Sequence, residues 1–143
     1  MKRYVISFIS LIIIFHFLAC FLNWYKSLPW LDVPMHLIGG VAAAALFFYL
    51  FLEKYKIIDP NRNFSLIIIL SLSFVALIGV LWEFYEYLAD VYIFAKHPLY
   101  LVYDRTNLPD VIKDLFNDLL GGLALSLVFL KSNKKQSSLV GDN

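Results

Sequence analysis

Four long apolar runs, separated by short polar segments, dominate the chain. They cover residues 4–22, 33–52, 64–82 and 111–130, and each has 19 or 20 residues. A helix needs about 20 mostly apolar residues to cross the hydrocarbon core of a bilayer. The runs are continuous rather than alternating, which favours helices over the strands of a β-barrel. The pattern predicts an all-α integral membrane protein, a four-helix transmembrane bundle with helices at about 4–22, 33–52, 64–88 and 111–130.

Composition agrees with a membrane protein: 61% of the 143 residues are hydrophobic and 16% are charged, and mean hydropathy is +0.73. The net charge of +1 gives no case for a nucleic-acid partner. A single cysteine, Cys20, excludes an internal disulfide and a four-thiolate metal site. We expect one transmembrane domain over residues 1–130 and a polar, disordered cytoplasmic tail over 131–143.

The first run has two interpretations. Lys2 and Arg3 before an apolar stretch are also typical of a signal peptide, and the segment ending at Cys20 loosely resembles a lipoprotein cleavage box. Phe17 fits such a box poorly, however, and the apolar run continues to Leu22. We therefore interpret the segment as a retained first helix.

Basic residues predict the orientation of the bundle, because cytoplasmic loops carry an excess of Lys and Arg. With the N-terminus inside, eight of the twelve Lys and Arg residues fall on the cytoplasmic side and four on the outer side. The reverse topology would reverse this bias. We expect a multi-pass protein of the cell inner membrane with both termini in the cytoplasm.

Acidic residues follow the opposite distribution, since eight of the eleven fall on the outer side. Carboxylates in lipid are costly, so they are expected to face the bundle interior or a wet cavity. In this topology three helices present their acidic residues at the same end. The eight are Asp32, Glu83, Glu86, Asp90, Asp104, Asp110, Asp114 and Asp118.

Asp32 and His36 are one helical turn apart on the same face of the second helix. His36 is expected about 6 Å deeper than Asp32, and Gly39 and Gly40 after it would let another helix approach closely. A structural alternative makes Asp32 a helix cap before Pro34 and His36 a packing residue.

In the third helix Glu83 and Glu86 follow 19 uncharged residues, whereas Asp90 fits a solvated helix end. In the fourth, Asp110, Asp114 and Asp118 form a stripe that descends about 12 Å. An Asp in mid-helix costs about 2.5–3.5 kcal/mol on insertion, so the stripe needs a polar partner. Asp110 could instead be an N-cap, and the others could pair with cations at the outer side: Lys96, Arg105 and Lys113.

These oxygen ligands with one imidazole suit a divalent cation such as Mg²⁺, Mn²⁺ or Zn²⁺. The predicted metal ligands are Glu83, Glu86, Asp110, Asp114 and Asp118. His36, Asp32 and Asp114 are the predicted catalytic residues, with His36 as general base or nucleophile. Without a cation some of the carboxylates would hold protons, which also suits acid–base chemistry, and the sequence leaves both possibilities open.

Two further histidines need an interpretation. A lone His in an apolar helix is more often a packing residue, and this applies to His16. The outer loop over 91–109 contains His97 and is too aromatic for a solvated linker. We expect this loop to lie in the membrane interface or to fold over the helix ends, where Tyr is favoured.

The order and spacing of these motifs resemble the YjdF-like family of small bacterial inner-membrane proteins. The resemblance rests on Asp32-x-x-x-His36-x-x-Gly39-Gly40, then Trp82-Glu83-x-x-Glu86, then Asp110-x-x-x-Asp114, and it covers residues 32–122. Asp118 lies outside that pattern. More distantly the arrangement looks like the VanZ-like proteins, a resemblance that implies chemistry on lipid or lipid-linked head groups.

We therefore expect a metal-dependent or acid–base hydrolase or transferase that acts on phosphate-linked lipid head groups at the outer leaflet, with membrane lipids as partners. The alternative is a non-catalytic membrane protein that binds a lipid, a metal or a cationic drug. A transporter is less favoured because residues 42–52, 64–80 and 123–130 contain no acidic, basic or His side chain.

The predicted orientation can be tested with cysteines placed near His36. An impermeant thiol reagent added outside the cell is expected to label them, because the polar end of the bundle faces outwards. Labelling that occurs only from the cytosol would contradict this topology.

Overall fold

The computed structural model describes residues 2–59, 63–94 and 108–141. Five α-helices follow one another: α1 (Lys2–Phe21), α2 (Trp24–Ser27), α3 (Asp32–Phe47), α4 (Phe64–Leu88) and α5 (Leu108–Gly141). A 3₁₀ turn, Pro29–Leu31, leads into α3. Helix α3 continues as a π-helical segment, Phe48–Lys54, and α4 as another, Ala89–Phe94. No strand occurs in these ranges.

Four segments are long and apolar enough to cross a membrane: Lys2–Phe21, Pro29–Lys54, Phe64–Leu88 and Leu108–Asn133. Their 20 to 26 residues correspond to about 30–39 Å of helix, which matches a hydrocarbon core of about 30 Å. The predicted all-α, four-helix membrane architecture is confirmed. The N-in, C-in orientation stays a prediction.

Large apolar side chains point outwards from all four spans. Examples are Leu11 on α1, Leu37 on α3, Leu77 on α4 and Val128 on α5, with exposed fractions from 40% to 66%. Exposed apolar surface of this extent is unusual on a monomer in water. In a bilayer these side chains face lipid, which leaves the few buried polar groups to face each other.

The half of the bundle away from the acidic residues has an apolar and aromatic core. Phe48 on the π-helical end of α3 stacks on Phe129 of α5, with ring centroids 4.2 Å apart. A polar contact between helices here joins the hydroxyls of Ser71 and Ser126, which are 3.0 Å apart and buried. Ser126 also donates to the Gly122 carbonyl at 2.7 Å. The serines thereby find partners without exposing polar atoms to lipid.

Helices α3 and α5 approach so closely that their backbones touch. A Cβ atom built on Gly40 would overlap the Asp118 carbonyl, and one built on Gly121 would overlap the Leu37 carbonyl. Only glycine permits this separation, as in the small-residue interfaces of many membrane helices. This contact between α3 and α5 fixes the positions of His36 and Asp118 relative to each other along the axis of the bundle.

Two expectations about helix ends are corrected. Helix α5 continues to Gly141, so the prediction of a disordered tail from residue 131 is wrong for the part that the structure describes. Lys and Gln in this stretch are good helix formers, which explains why a polar sequence stays helical. The capping alternatives for Asp110 and Asp32 fail as well, because Asp110 lies inside the first turn of α5 and Asp32 follows Leu31, the N-cap residue of α3.

Gly40→Ala is expected to destabilise the bundle by about 1–3 kcal/mol, the usual cost of overpacking, since the added methyl group meets backbone. Gly39→Ala is the matched control: its Cβ would lie 3.5 Å from Asp118 Oδ1, an ordinary contact. Thermal unfolding in detergent measures both. Equal unfolding temperatures for the two variants would contradict the proposed role of the contact between α3 and α5.

Candidate functional site

Three helices bring their polar residues together at one end of the bundle. His36 of α3 is 4% exposed, and around it lie Asp32 of α3, Glu83 of α4, and Asp114 and Asp118 of α5. Asp114 and Asp118 are buried to a similar degree, at 3% and 5% exposed. The acidic groups that the sequence predicts at one end therefore form one cluster with His36 at its centre.

The Nε2 atom of His36 faces three carboxylates, one from each helix. It lies 3.7 Å from Asp32 Oδ1, 4.0 Å from Glu83 Oε1 and 4.0 Å from Asp114 Oδ2. Ligand atoms that share one ion at about 2.0–2.2 Å lie at most about 4.4 Å apart. The ligand atoms that lie within 4.8 Å of one another form two sets that share the imidazole: Asp32, His36 and Asp114, and His36, Glu83 and Glu86. Each set could hold a small cation after side-chain adjustment.

Two oxygens of this cluster are buried without a hydrogen-bond partner: Glu83 Oε1 and Asp114 Oδ1. The second lies 3.3 Å from Lys113 Nζ as an ion pair, but without hydrogen-bond geometry. Buried polar atoms are nearly always paired, and each exception calls for an explanation such as an ion. A cation bound beside His36 would supply the missing partner for Glu83.

The other ring nitrogen of His36 contacts Asp118, with Nδ1 3.5 Å from Asp118 Oδ2. Gly79 of α4 makes room for this carboxylate, since a Cβ there would lie 2.7 Å from Oδ2, whereas Gly39 of α3 lies beside Oδ1 at the distance of an ordinary contact. Asp118 is thus held between α3 and α4. A carboxylate on the second nitrogen of a ligating His fixes its tautomer and ring orientation.

Lys113 is the only Lys or Arg that the described residues place in the cluster. Its Nζ lies 2.6 Å from Asp110 Oδ1, 3.2 Å from Asp32 Oδ2 and 3.3 Å from Asp114 Oδ1. The ammonium therefore bridges α3 and α5 at the outer edge of the cluster, where the side chain is 40% exposed. The ion-pair alternative from the sequence holds for this lysine.

The predicted metal ligands differ in where they lie. Glu86, like Glu83, has a carboxylate oxygen within 4.8 Å of a His36 ring nitrogen. Asp110 reaches the cluster through Lys113, and Asp118 lies on the Nδ1 side of the ring. Whether any of them binds a metal stays a prediction.

Charge in the cluster is unbalanced within the described part of the chain. The carboxylates of Asp32, Glu83, Asp114 and Asp118 surround His36, and Lys113 contacts two of them, those of Asp32 and Asp114. Carboxylates taken out of water are costly unless their charge is balanced. A bound cation, an imidazolium at His36 or bound protons would each supply that balance.

A cavity of about 220 Å³ opens beside the cluster, between α1 on one side and α3 and α4 on the other. Asp32, His36, Glu86 and Asp118 line its polar end, and apolar side chains line the rest. His16 of α1 also lines it, and its Nδ1 lies 2.9 Å from the Tyr25 hydroxyl. The packing interpretation of His16 agrees with this hydrogen bond and with its 4.8 Å ring contact with Trp82.

Sequence reasoning missed the central position of His36 and the room that Gly79 leaves for Asp118, and it gave the pairing of Lys113 only as an alternative. One available signal is a shared spacing. Asp32-x-x-x-His36-x-x-Gly39-Gly40 in α3 has the same form as Asp114-x-x-x-Asp118-x-x-Gly121-Gly122 in α5. Two helices with the same polar and glycine pattern are good candidates for a common interface, and this spacing would have paired His36 with Asp118.

Several predictions fall outside the described residues. These are the expectation that the outer loop covers the helix ends, the role of His97, the position of Asp104, pairing by Lys96 or Arg105, and the side chain of Asp90.

The fold and the cluster define a multi-pass membrane protein with a buried acidic and histidine site at one end of a helical bundle. The chain belongs to the family described as predicted membrane protein (DUF2238), whose model matches residues 1–135. This is the YjdF-like family, so that resemblance is confirmed, and it extends beyond the motif region at both ends. No curated protein and no solved structure matches the chain. The VanZ-like resemblance stays a prediction.

Lys113→Gln is expected to destabilise the protein in buffer with a chelator, because three carboxylates lose their shared cation. The loss should be about 1–2 kcal/mol, near the lower end for hydrogen bonds to charged groups, since Lys113 is partly exposed. Lys26→Gln removes the same charge from an exposed position on α2 and is the control. If both variants unfold at the same temperature in detergent, the bridge does not stabilise the bundle.

Proposed function

We propose that the protein is a membrane-embedded, divalent-metal-dependent hydrolase or transferase that acts on a phosphate-linked lipid head group. The observation that carries the proposal is the arrangement around His36 Nε2, where three carboxylate oxygens from three helices lie within 4.0 Å. Two buried oxygens without hydrogen-bond partners support it.

The choice of a metal follows from the charge of the proposed substrate. A phosphate group is anionic, and a cluster of carboxylates would repel it. A divalent cation held by the carboxylates would present a positive charge to the phosphate, as in many phosphoryl-transfer sites. The mixture of one imidazole with oxygens favours Zn²⁺ or Mn²⁺, because Mg²⁺ prefers oxygen ligands alone.

In this proposal His36, Asp32 and Asp114, whose ligand atoms lie within 4.8 Å of one another, hold the ion. Glu83 would join them after a side-chain adjustment, and Asp118 orients the His36 ring from the other side. A bound divalent ion would polarise a phosphoryl oxygen and favour ionisation of a bound water. The sequence assigned the role of general base to His36. With its Nε2 directed at the carboxylates, that role passes to Glu86, which lines the adjoining cavity.

Lys113 has a second role in the same proposal. Its ammonium shares Asp32 and Asp114 with the proposed ion, so binding of a metal would compete with it for those oxygens. Once it no longer pairs with these carboxylates, the ammonium of Lys113 at the exposed edge of the cluster can bind a phosphate.

A lipid substrate is supported by the location of the cluster. It lies at the end of three membrane-spanning helices, where Asp32 begins α3 and Asp110 lies in the first turn of α5. In the predicted topology this is the depth of the outer head groups. A substrate whose tail stays in the bilayer would present its phosphate at this level.

A second candidate is a non-catalytic protein that binds a lipophilic cation. Trp82 and Tyr25 line the cavity together with Asp32 and Glu86, and aromatic faces beside carboxylates are typical of sites for organic ammonium ions. Such a ligand would balance the acidic groups without a metal, so the two candidates predict different metal contents.

Metal analysis of purified protein tests the proposal. Wild type is expected to retain about one Zn²⁺ or Mn²⁺ per chain, and Asp114→Asn to lose it because a direct ligand is removed. Asp118→Asn should retain the site with affinity lowered roughly 10–100-fold, the usual effect of an orienting partner. Glu53→Gln, in the π-helical segment that follows α3 at the other end of the bundle, is the control and should bind like wild type.

Activity is measured on the same samples as head-group or phosphate release from phospholipids in detergent. Release should follow metal content across the variants. Wild type without bound metal, together with tight binding of a tetraalkylammonium probe, would overturn the metal enzyme in favour of the second candidate.

A further inference from the structure

The cavity beside the cluster has a polar end and an apolar remainder. Its lining changes with distance from His36: acidic and aromatic residues come first, then glycine and alanine, then branched aliphatic residues. The deeper lining consists of Ala42, Ala43, Leu46, Val75, Ile9 and Ile12. We propose that this cavity receives one acyl chain of the lipid whose head group binds at the cluster.

The cavity runs along the helices rather than across them. On α3 its lining extends from Asp32 to Leu46, and on α4 from Glu86 back to Val75. At 1.5 Å per residue these stretches span about 21 Å and about 16 Å. They reach from the polar end of the bundle to roughly the middle of a hydrocarbon core of about 30 Å. This is the path that an acyl chain follows below its own head group.

Small residues on α3 keep the space open. Gly39, Ala42 and Ala43 all line the cavity. An apolar void loses dispersion contacts along its whole lining, so protein interiors rarely leave one unfilled. In a bilayer the group that can fill it is an acyl chain, which is present on every side of the bundle.

The size of the cavity limits the occupant to one chain. A space of about 220 Å³ that runs along the helices admits a single acyl chain, and two chains side by side do not fit it. The proposed substrate class is therefore a lipid with one chain inserted between α1 and α3, and any second chain left in the bilayer.

The head-group part of this inference rests on the proposed function, whereas the chain site does not require a metal. The test uses lysophosphatidic acid with a diazirine near either end of its acyl chain, photolysed on the purified full-length protein in detergent. A diazirine near the head group should label residues 35–40 and 79–86. One near the chain end should label residues 9–13 and 42–46.

Cavity-filling variants make the test specific. Ala43→Leu should reduce labelling by the chain-end probe roughly tenfold, and Ile12→Phe should do the same if Ala43→Leu fails to fold. Ala45→Leu is the matched control, because Ala45 is on the same helix but does not line the cavity. Labelling spread evenly over lipid-facing positions such as Leu77 and Val128, and unchanged in both filling variants, would overturn the acyl-chain site.

Metal content separates this inference from the proposed function. Ala43→Leu should keep the metal content of wild type, but the two diazirine positions should no longer label different depths of the cavity. If wild type holds no metal and the two positions still label different depths, the acyl-chain site is supported and the metal enzyme is contradicted. If wild type holds a metal but the labelling does not depend on the position of the diazirine, the metal enzyme is supported and the acyl-chain site is contradicted.

Discussion

The contact of the α3 and α5 backbones at Gly40 and Gly121 is the constraint on which the rest of the molecule depends. It places His36 against Asp118. One helical turn earlier in each helix, it brings Asp32 and Asp114 to the same height in the bundle, where both contact Lys113. Helix α4 closes on this pair because Gly79 leaves room for the Asp118 carboxylate. Close helix packing in lipid, where no hydrophobic effect drives helices together, depends on such small residues.

Apolar and charged side chains occupy opposite halves of the bundle along its axis. One half holds an aromatic core joined by a serine pair, and the other half holds the acidic cluster. This separation lets the helices meet lipid with apolar side chains on their outer faces while charged groups partner one another inside. It also explains why the cavity has one polar end and one apolar end, since it crosses the boundary between the halves.

The sequence predicts the helices well because length and apolarity are local properties. Helix α4, predicted over about 64–88, is Phe64–Leu88 and continues as a π-helical segment. The sequence also predicts that the acidic groups share one end, because helix direction alternates in a four-span chain. It does not predict which side chains touch, since that depends on helix rotation. The role of Gly79 was missed for this reason, and the role of Lys113 was only an alternative because a long side chain reaches several partners.

The shared spacing of α3 and α5 has a chemical consequence. Positions 36 and 118 are equivalent in the two motifs, yet one is an imidazole and the other a carboxylate. Two carboxylates there would repel across the glycine contact, and two imidazoles would leave Nδ1 of His36 without the carboxylate that it now contacts. At these equivalent positions an imidazole on one helix therefore faces a carboxylate on the other. The two motifs match in spacing, but the site between them has two chemically different sides.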